Sequence, residues 1–521
     1  MDLNDRHPTA NGSLQKVIST RQFVFMALSS SIGAGLFLAT YGSLAIGGPA
    51  SLLLSFAVVG FAVWITMCAL GELSTAFPVT GSFYEYSVRF ISPAWGFSMG
   101  WNYVINYLTI VVFELVVMLL CVDYWVAEKF PTYYLLPAFI GGLVLVNIFG
   151  AKWYAEAENV FAICKMIVLC SFVIVAILIV SKAIPSDNRS AENLGIHKWK
   201  HGHAFNNGPI GFLYVFMAAG MAYGGTEMLG LTAAECEHPL KVMPLACKIV
   251  PARIVVLYLL PIFMLGLVLD LPTNGGSVPI MSPFVAAMDQ ANLPVIASIF
   301  NGIILVSIFS MASASVFASS RALQAISARG MGPSFFAKVR WGQPAWALVL
   351  VFLFSLLSFI TIAKDGDKVF EWLLALAADS NYFTWLSICV CHIRLRLAIR
   401  KKGLNEDEIL KWKSPVGIWG SVVAIVIFLF GLSAQIVAIA KSPILPAPHI
   451  LSSVLGIVVV FICWAGYMAV KRDMVWIPTD KIDLKPKREG SVEGLRRSHD
   501  VESGNADTEE TKNNARRSNS T

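Results

Sequence analysis

Charge is what this chain has least of: Asp, Glu, Lys and Arg make up 14% of its 521 residues, against roughly 25% in soluble domains. The shortage excludes an ordinary water-soluble globule. Hydrophobic residues reach 56%, and a single soluble core stops growing near about 250–300 residues. No soluble linker interrupts the apolar sequence before residue 470. Paired cysteines in outside loops are also lacking. Cys68, Cys121, Cys164, Cys170, Cys236, Cys247, Cys389, Cys391 and Cys463 lie in or beside apolar stretches, so no disulfide framework is implied. Cys389 and Cys391 have neither the spacing nor the His partners of a zinc site and read as packing. No nucleophile–base pair, metal-ligand spacing or nucleotide loop stands out, so the reading is of no enzyme, with no cofactor and no metal.

What the chain has is a succession of long apolar runs. About twelve approach or exceed the roughly 18 residues that cross hydrocarbon: 22–46, 50–77, 98–126, 133–150, 158–181, 209–231, 247–270, 293–327, 345–363, 369–394, 416–440 and 449–470. The run 133–150 is the weakest, being short and containing Pro137. A second apolar run follows the first with no small-residue cleavage site between them, so the first reads as a retained crossing and not a signal peptide. The expectation is an all-α integral membrane protein with a short cytosolic head (1–21), a membrane domain (22–471) and a disordered polar tail (472–521).

Basic residues sort by loop parity. One set of connections holds Arg89, Lys152, Lys241, Lys248, Arg253, Arg329, Lys338, Arg340 and the run from Arg394 to Lys413. The other set is poorer in Lys and Arg and has none between Asp270 and Asp289. Positive loops stay inside, which puts both termini in the cytosol. The net charge of +6 reflects this sidedness and carries no nucleic-acid inference.

Two runs break the rule that backbone in hydrocarbon must be paired. The first has Ser29, Ser30, Ser31, Gly33 and Gly35 at its middle; the sixth has Gly220, Gly224, Gly225 and Glu227. Small residues of this kind serve close helix packing. They also mark helix breaks, and breaks at equivalent places in two five-helix units are the signature of a transporter site built from inverted repeats. Free amides at a half-helix start suit a carboxylate, and freed carbonyls suit an ammonium. A zwitterion fits both, with amides near Ile32, Gly33, Ala34 and Gly35 on one side and carbonyls of Ala218, Ala219 and Gly220 on the other.

Four ionisable residues fall within the runs, where such groups are costly and usually paired or functional. Glu72 is placed to reach the interface. Glu114 reads as a buried hydrogen-bonded carboxylate. Lys165 either snorkels to the interface or, buried, exchanges a proton. Glu227 stands beside the sixth-run break.

At these residues the chain resembles the amino acid–polyamine–organocation superfamily, and within it the fungal amino acid permeases. The stretches SIGAGLFLATYGSLAIGGPASLL, ALGELSTAFPVTGSFYEYSVRFISPAWGFSMGWNY, MAYGGTEMLGLTAAECEHPLKVMPLA and WLLALAADSNYFTWLSICVCHIRLR carry the resemblance, from about Arg21 to Arg396. It implies two inverted five-helix repeats plus two further helices, and amino-acid uptake driven by protons. It also implies that Gly33, Ala34 and Gly35 form the carboxylate loop, and that Gly220, Met221, Ala222 and Tyr223 form the break in the sixth helix. Lys165 matches a fifth-helix lysine whose ammonium replaces a sodium ion in related carriers. Glu114 and Glu227 join it as coupling or gating candidates, and Ser313 as a pocket residue. Ala34, Met221, and Ser313 with Ala314 depart from the family pattern, which usually has a hydroxyl residue, an aromatic gate, and Asn then Ser at those places.

The function expected is secondary active transport of amino acids or close relatives such as betaines, carnitine, polyamines or GABA, with protons and the lipid bilayer as partners. The plasma membrane is the expected site. A non-transporting nutrient sensor of the same fold is the competing class; sensors of this type tend to have a large cytosolic extension, and here about twenty residues precede the first run.

Overall fold

The computed structural model describes residues 16–79, 81–126, 130–184, 195, 199, 204–233, 235–270, 281–362, 366–441, 448–471 and 476–484. Residues 1–15 of the expected head and 485–521 of the expected tail lie outside the described residues. Hydrocarbon offers the backbone no partners, so crossing segments close their hydrogen bonds internally as helices. Among the described residues no β-strand forms.

The first crossing is built from α1 (Thr20–Ser29), α2 (Ala34–Phe37) and α3 (Ala39–Gly47), with a bend of 59° between Thr20–Phe37 and Ala39–Gly47. Ser19 starts it with a capping box, its hydroxyl accepting from the Gln22 amide while the Gln22 side chain returns to the Ser19 backbone. Then come α4 (Pro49–Ala76), the short α5 (Ser82–Phe90), α6 (Pro93–Val126), α7 (Leu136–Ile148) and α8 (Ala151–Val180). The sixth crossing is again broken, into α9 (Gly208–Ala222) and α10 (Met228–Ala233). α11 (Pro239–Arg253) and α12 (Leu260–Val268) are joined by a π-helical turn, Ile254–Leu259. α13 (Pro283–Gln290), α14 (Pro294–Ala328), α15 (Ala345–Ser355), α16 (Gly366–Lys401), α17 (Glu406–Ile409), α18 (Gly417–Lys441) and α19 (Pro448–Lys471) complete the order.

Among the described residues eight helices are long and apolar enough to cross a membrane, or up to nine with the bent pair as one span, and Thr132–Ile148, Gly208–Ala222 and Ala345–Phe359 are shorter apolar helices. These fall on the runs expected from sequence. The shortest expected run, 133–150, is one of the three short helices, with Pro137 tolerated in the first turn of α7, where its missing N–H costs no helical bond. α6 is almost wholly buried and packs along α14, whereas α8 and α19 leave most of their apolar surface outward. The first broken crossing packs through α1 on α8 and α11, the sixth through α9 on α4, α16 and α18, and the two meet where α3 packs on α9.

Glu72 does not reach an interface. It is fully buried in α4, accepting from Arg396 at 2.8 and 2.6 Å and from the Ser414 amide at 2.7 Å, with His392 Nε2 at 3.1 Å. The reason is the partner: α16 brings a guanidinium whose fork matches the carboxylate. Of the expected tail, residues 476–482 pack on the same end of the bundle. The Ile477 amide donates to Ile91 O at 2.9 Å, and the Arg394 guanidinium lies over the Trp476 ring at 4.1 Å.

Candidate functional site

α1 ends at three serines whose hydroxyls all bond other elements, Ser29 to Glu158, Ser30 to Gly225 O and Ser31 to Tyr258 Oη. Ile32 N–H turns back to Ser29 O at 3.0 Å, and Gly33 caps α2 in an extended conformation. In the first turn of α2 the Leu36 and Phe37 amides donate to Gly33 O, and the Ala34 amide has no backbone partner. It points at Glu114, whose two carboxylate oxygens both lie 3.3 Å from it. Glu114 is thus a carboxylate from α6 seated where the sequence placed a solute carboxylate. Gly35 has a different role: a Cβ there would stand 2.8 Å from the Ala222 backbone, so the glycine lets the two broken crossings touch.

In the sixth crossing the helix runs one turn further than expected. Ala218 and Ala219 lie inside α9, with Ala219 O accepting from the Tyr223 amide, and the break runs from Tyr223 to Glu227. Gly225 sits at φ +99°, a conformation glycine adopts without strain. Gly220 O is nonetheless engaged from outside the helix, accepting from Asn381 Nδ2 at 3.1 Å. Met221 is buried against the break, and its carbonyl accepts from Gly224 N–H. Tyr223 turns away, its hydroxyl donating to Phe56 O at 3.0 Å and its ring stacked on Tyr258.

Glu227 is buried and fully dressed. Tyr107 and Trp385 donate to its two oxygens at 2.8 and 2.9 Å, and Gly225 N–H approaches at 3.3 Å. A carboxylate with this many donors holds the break in shape. Lys165 is also wholly buried, with Nζ 3.1 Å from Ser29 O and 3.4 Å from Glu158 Oε1. Its stem does not carry the ammonium out to an interface.

Ser313 is not brought to the breaks; it accepts from Asn147 Nδ2 at 3.0 Å, facing α7. Met311, two residues earlier on α14, fills that place: a Cβ at Gly33 would stand 2.6 Å from Met311 Cγ.

Three residues that matter here were not singled out from the sequence. Glu158 accepts from Ser29 Oγ at 2.8 Å and Ser310 Oγ at 2.6 Å besides facing Lys165. Its signal was the seven-residue spacing to Lys165, which places both on one helix face. Arg253 donates to Ala27 O at 2.9 Å and Thr226 Oγ1 at 2.6 Å, and Tyr258 Oη meets Ser31 Oγ at 2.8 Å while donating to Ala222 O at 3.1 Å. Both residues therefore tie the first break to the sixth. Tyr258 lies in the π turn, a feature that often marks functional places in helices. Among the described residues no group of three or more His, Cys, Asp or Glu side chains is placed to hold a metal ion.

Comparisons with known proteins agree with this architecture. The family model described as amino acid permease matches residues 22–477. The Schizosaccharomyces pombe protein named cationic amino acid transporter 1 is 37% identical over 81% of this chain and 73% of its own length. Amino-acid permease GAP3 of Candida albicans is 34% identical over 97% of this chain and 84% of its own. Among solved structures, MhsT in complex with L-phenylalanine aligns with a TM-score of 0.56 at 15% identity, covering 81% of this chain and all of that one, and so supports the fold alone. With two broken crossings packed on each other and a family model spanning nearly the whole membrane region, the chain belongs to the amino acid permease family, multi-pass integral membrane carriers of amino acids.

Proposed function

We propose that the chain is a proton-coupled symporter that accumulates amino acids across the plasma membrane, with both termini in the cytosol. The solute's carboxylate takes the Ala34 amide and its ammonium takes Gly220 O. Ile32, Gly33 and Gly35 shape one wall, and Ala219, Met221 and Tyr223 support the other. Ser313 acts at a distance, through α7. To reach the Ala34 amide the solute displaces Glu114, and a carboxylate left unpaired at mid-membrane is neutralised by a proton. Glu227 keeps the sixth break open throughout.

The observation that carries the coupling is the ammonium of Lys165 on the last carbonyl of α1, 3.1 Å away and paired with Glu158. A fixed cation there repels a sodium ion, and the Lys165–Glu158 pair offers a place for a proton to be taken and given. Transport then needs no sodium. In Lys165→Ala, accumulation driven by a proton gradient should collapse while solute-for-solute exchange survives. Accumulation by that variant equal to the parent's would remove Lys165 from the coupling.

A further inference from the structure

Gly220 O, the acceptor assigned above to the solute's ammonium, already has a donor: Asn381 Nδ2, 3.1 Å away, reaching in from α16. The carboxamide is held from the other side by Asn106 of α6, whose Nδ2 donates to Asn381 Oδ1 at 2.8 Å. Both asparagines are buried to within 1% of full exclusion. Space for the carboxamide is provided by Gly224, where a Cβ would stand 2.1 Å from Asn381 Nδ2. One polar atom of the pair is left over. Asn106 Oδ1 is buried and has no hydrogen-bond partner, although buried acceptors are nearly always paired.

We infer that Asn381, positioned by Asn106, is a specificity-determining residue that restricts the carrier to solutes whose cationic group bears N–H donors and rejects quaternary ammonium compounds. This rests on the reading of Gly220 O as the ammonium acceptor. A primary ammonium arriving at Gly220 O replaces the donor it displaces and brings further N–H groups, one of which can serve the unpaired Asn106 Oδ1. A trimethylammonium does neither. It would strip Gly220 O of its donor and leave it buried and unpaired, or else meet the carboxamide sterically. Sites built around hydrogen bonds to a solute reject analogues that lack the group far more strongly than apolar pockets do. The betaines and carnitine that the sequence left open are thereby excluded, and primary and secondary amines remain.

The test uses the full chain in proteoliposomes and the amino acid it accumulates best among the twenty, with the α-N-trimethyl and N-acetyl derivatives of that amino acid as unlabelled competitors. In the parent, the trimethyl derivative should compete at least about tenfold less well than the free amino acid. In Asn381→Ala the gap should shrink toward parity, because loss of the carboxamide makes room for the methyl groups and for a water that pairs Gly220 O beside them, and in Asn106→Ala it should shrink by less, because Asn381 stays but is no longer aimed. Asn381→Ser, too short to reach Gly220 O, reports the same ratio if the alanine variant fails to insert. Equal competition by the trimethyl derivative in the parent, or an unchanged gap in inserted Asn381 and Asn106 variants, overturns the inference. Equal competition by the N-acetyl derivative in the parent instead overturns the ammonium reading of Gly220 O itself.

Discussion

Gly33 and Gly35 show how two glycines in one motif come to do different things. Both were expected to keep amides accessible. At Gly33 the obstacles to a side chain are Met311 Cγ at 2.6 Å and Met311 Cβ at 2.7 Å, the latter fixed to the α14 backbone, with Glu114 Oε1 at 2.9 Å. At Gly35 the obstacle is the Ala222 backbone at 2.8 Å, which cannot move without parting the two broken crossings. Both Gly33→Ala, which presses on α14 and Glu114, and Gly35→Ala, which presses on the sixth crossing, are therefore expected to lower uptake by at least about tenfold with protein still in the membrane, since overpacking costs about 1–3 kcal/mol. Initial uptake rates normalised to membrane-inserted protein decide it, and a parental rate in either variant would contradict the close fit at that glycine. The same scale shows what sequence hides. Lys165 was conspicuous as a cation in an apolar run, but its partner Glu158 lies nearer the polar start of α8 and reads there as ordinary surface charge. Only the approach of α1 and α14, with Ser29 and Ser310, makes it a buried partner.

Among elements, the breaks were legible because glycine and serine clusters have no other strong reason to sit mid-membrane. Their ends were less so: α9 continues through Ala222, one turn past the expected carbonyls, since apolar small residues propagate a helix as readily as they end one. The turn Ile254–Leu259 gave no signal in composition, because its sequence IVVLYL is apolar throughout. It nonetheless aims Tyr258 at both breaks. Tyr258→Phe removes the bonds to Ser31 and Ala222 O, each worth about 0.5–1.5 kcal/mol. Removing both, about 1–3 kcal/mol together, should cut the uptake rate by roughly fivefold to a hundredfold while leaving expression intact. An unchanged rate would reduce Tyr258 to packing.

For the molecule as a whole, the crossings, the fold class and the family were readable from hydropathy and four motifs, because lipid imposes a rule that a single sequence obeys openly. The site was readable in part. Ala34 and Gly220 were named, but that Glu114 and Asn381 stand on them depends on how α6 and α16 pack against the breaks, which no spacing within one run encodes. Carriage of amino acids uphill through these breaks at the expense of a proton gradient is what the proposed mechanism requires. Its most direct test is uptake of a labelled amino-acid mixture into proteoliposomes in sodium-free medium, with and without an imposed inward proton gradient. Accumulation above the outside concentration that appears with the gradient and is abolished by a protonophore is the predicted result. Binding without uptake, as in a sensor, or accumulation that requires sodium and ignores the proton gradient, would contradict it.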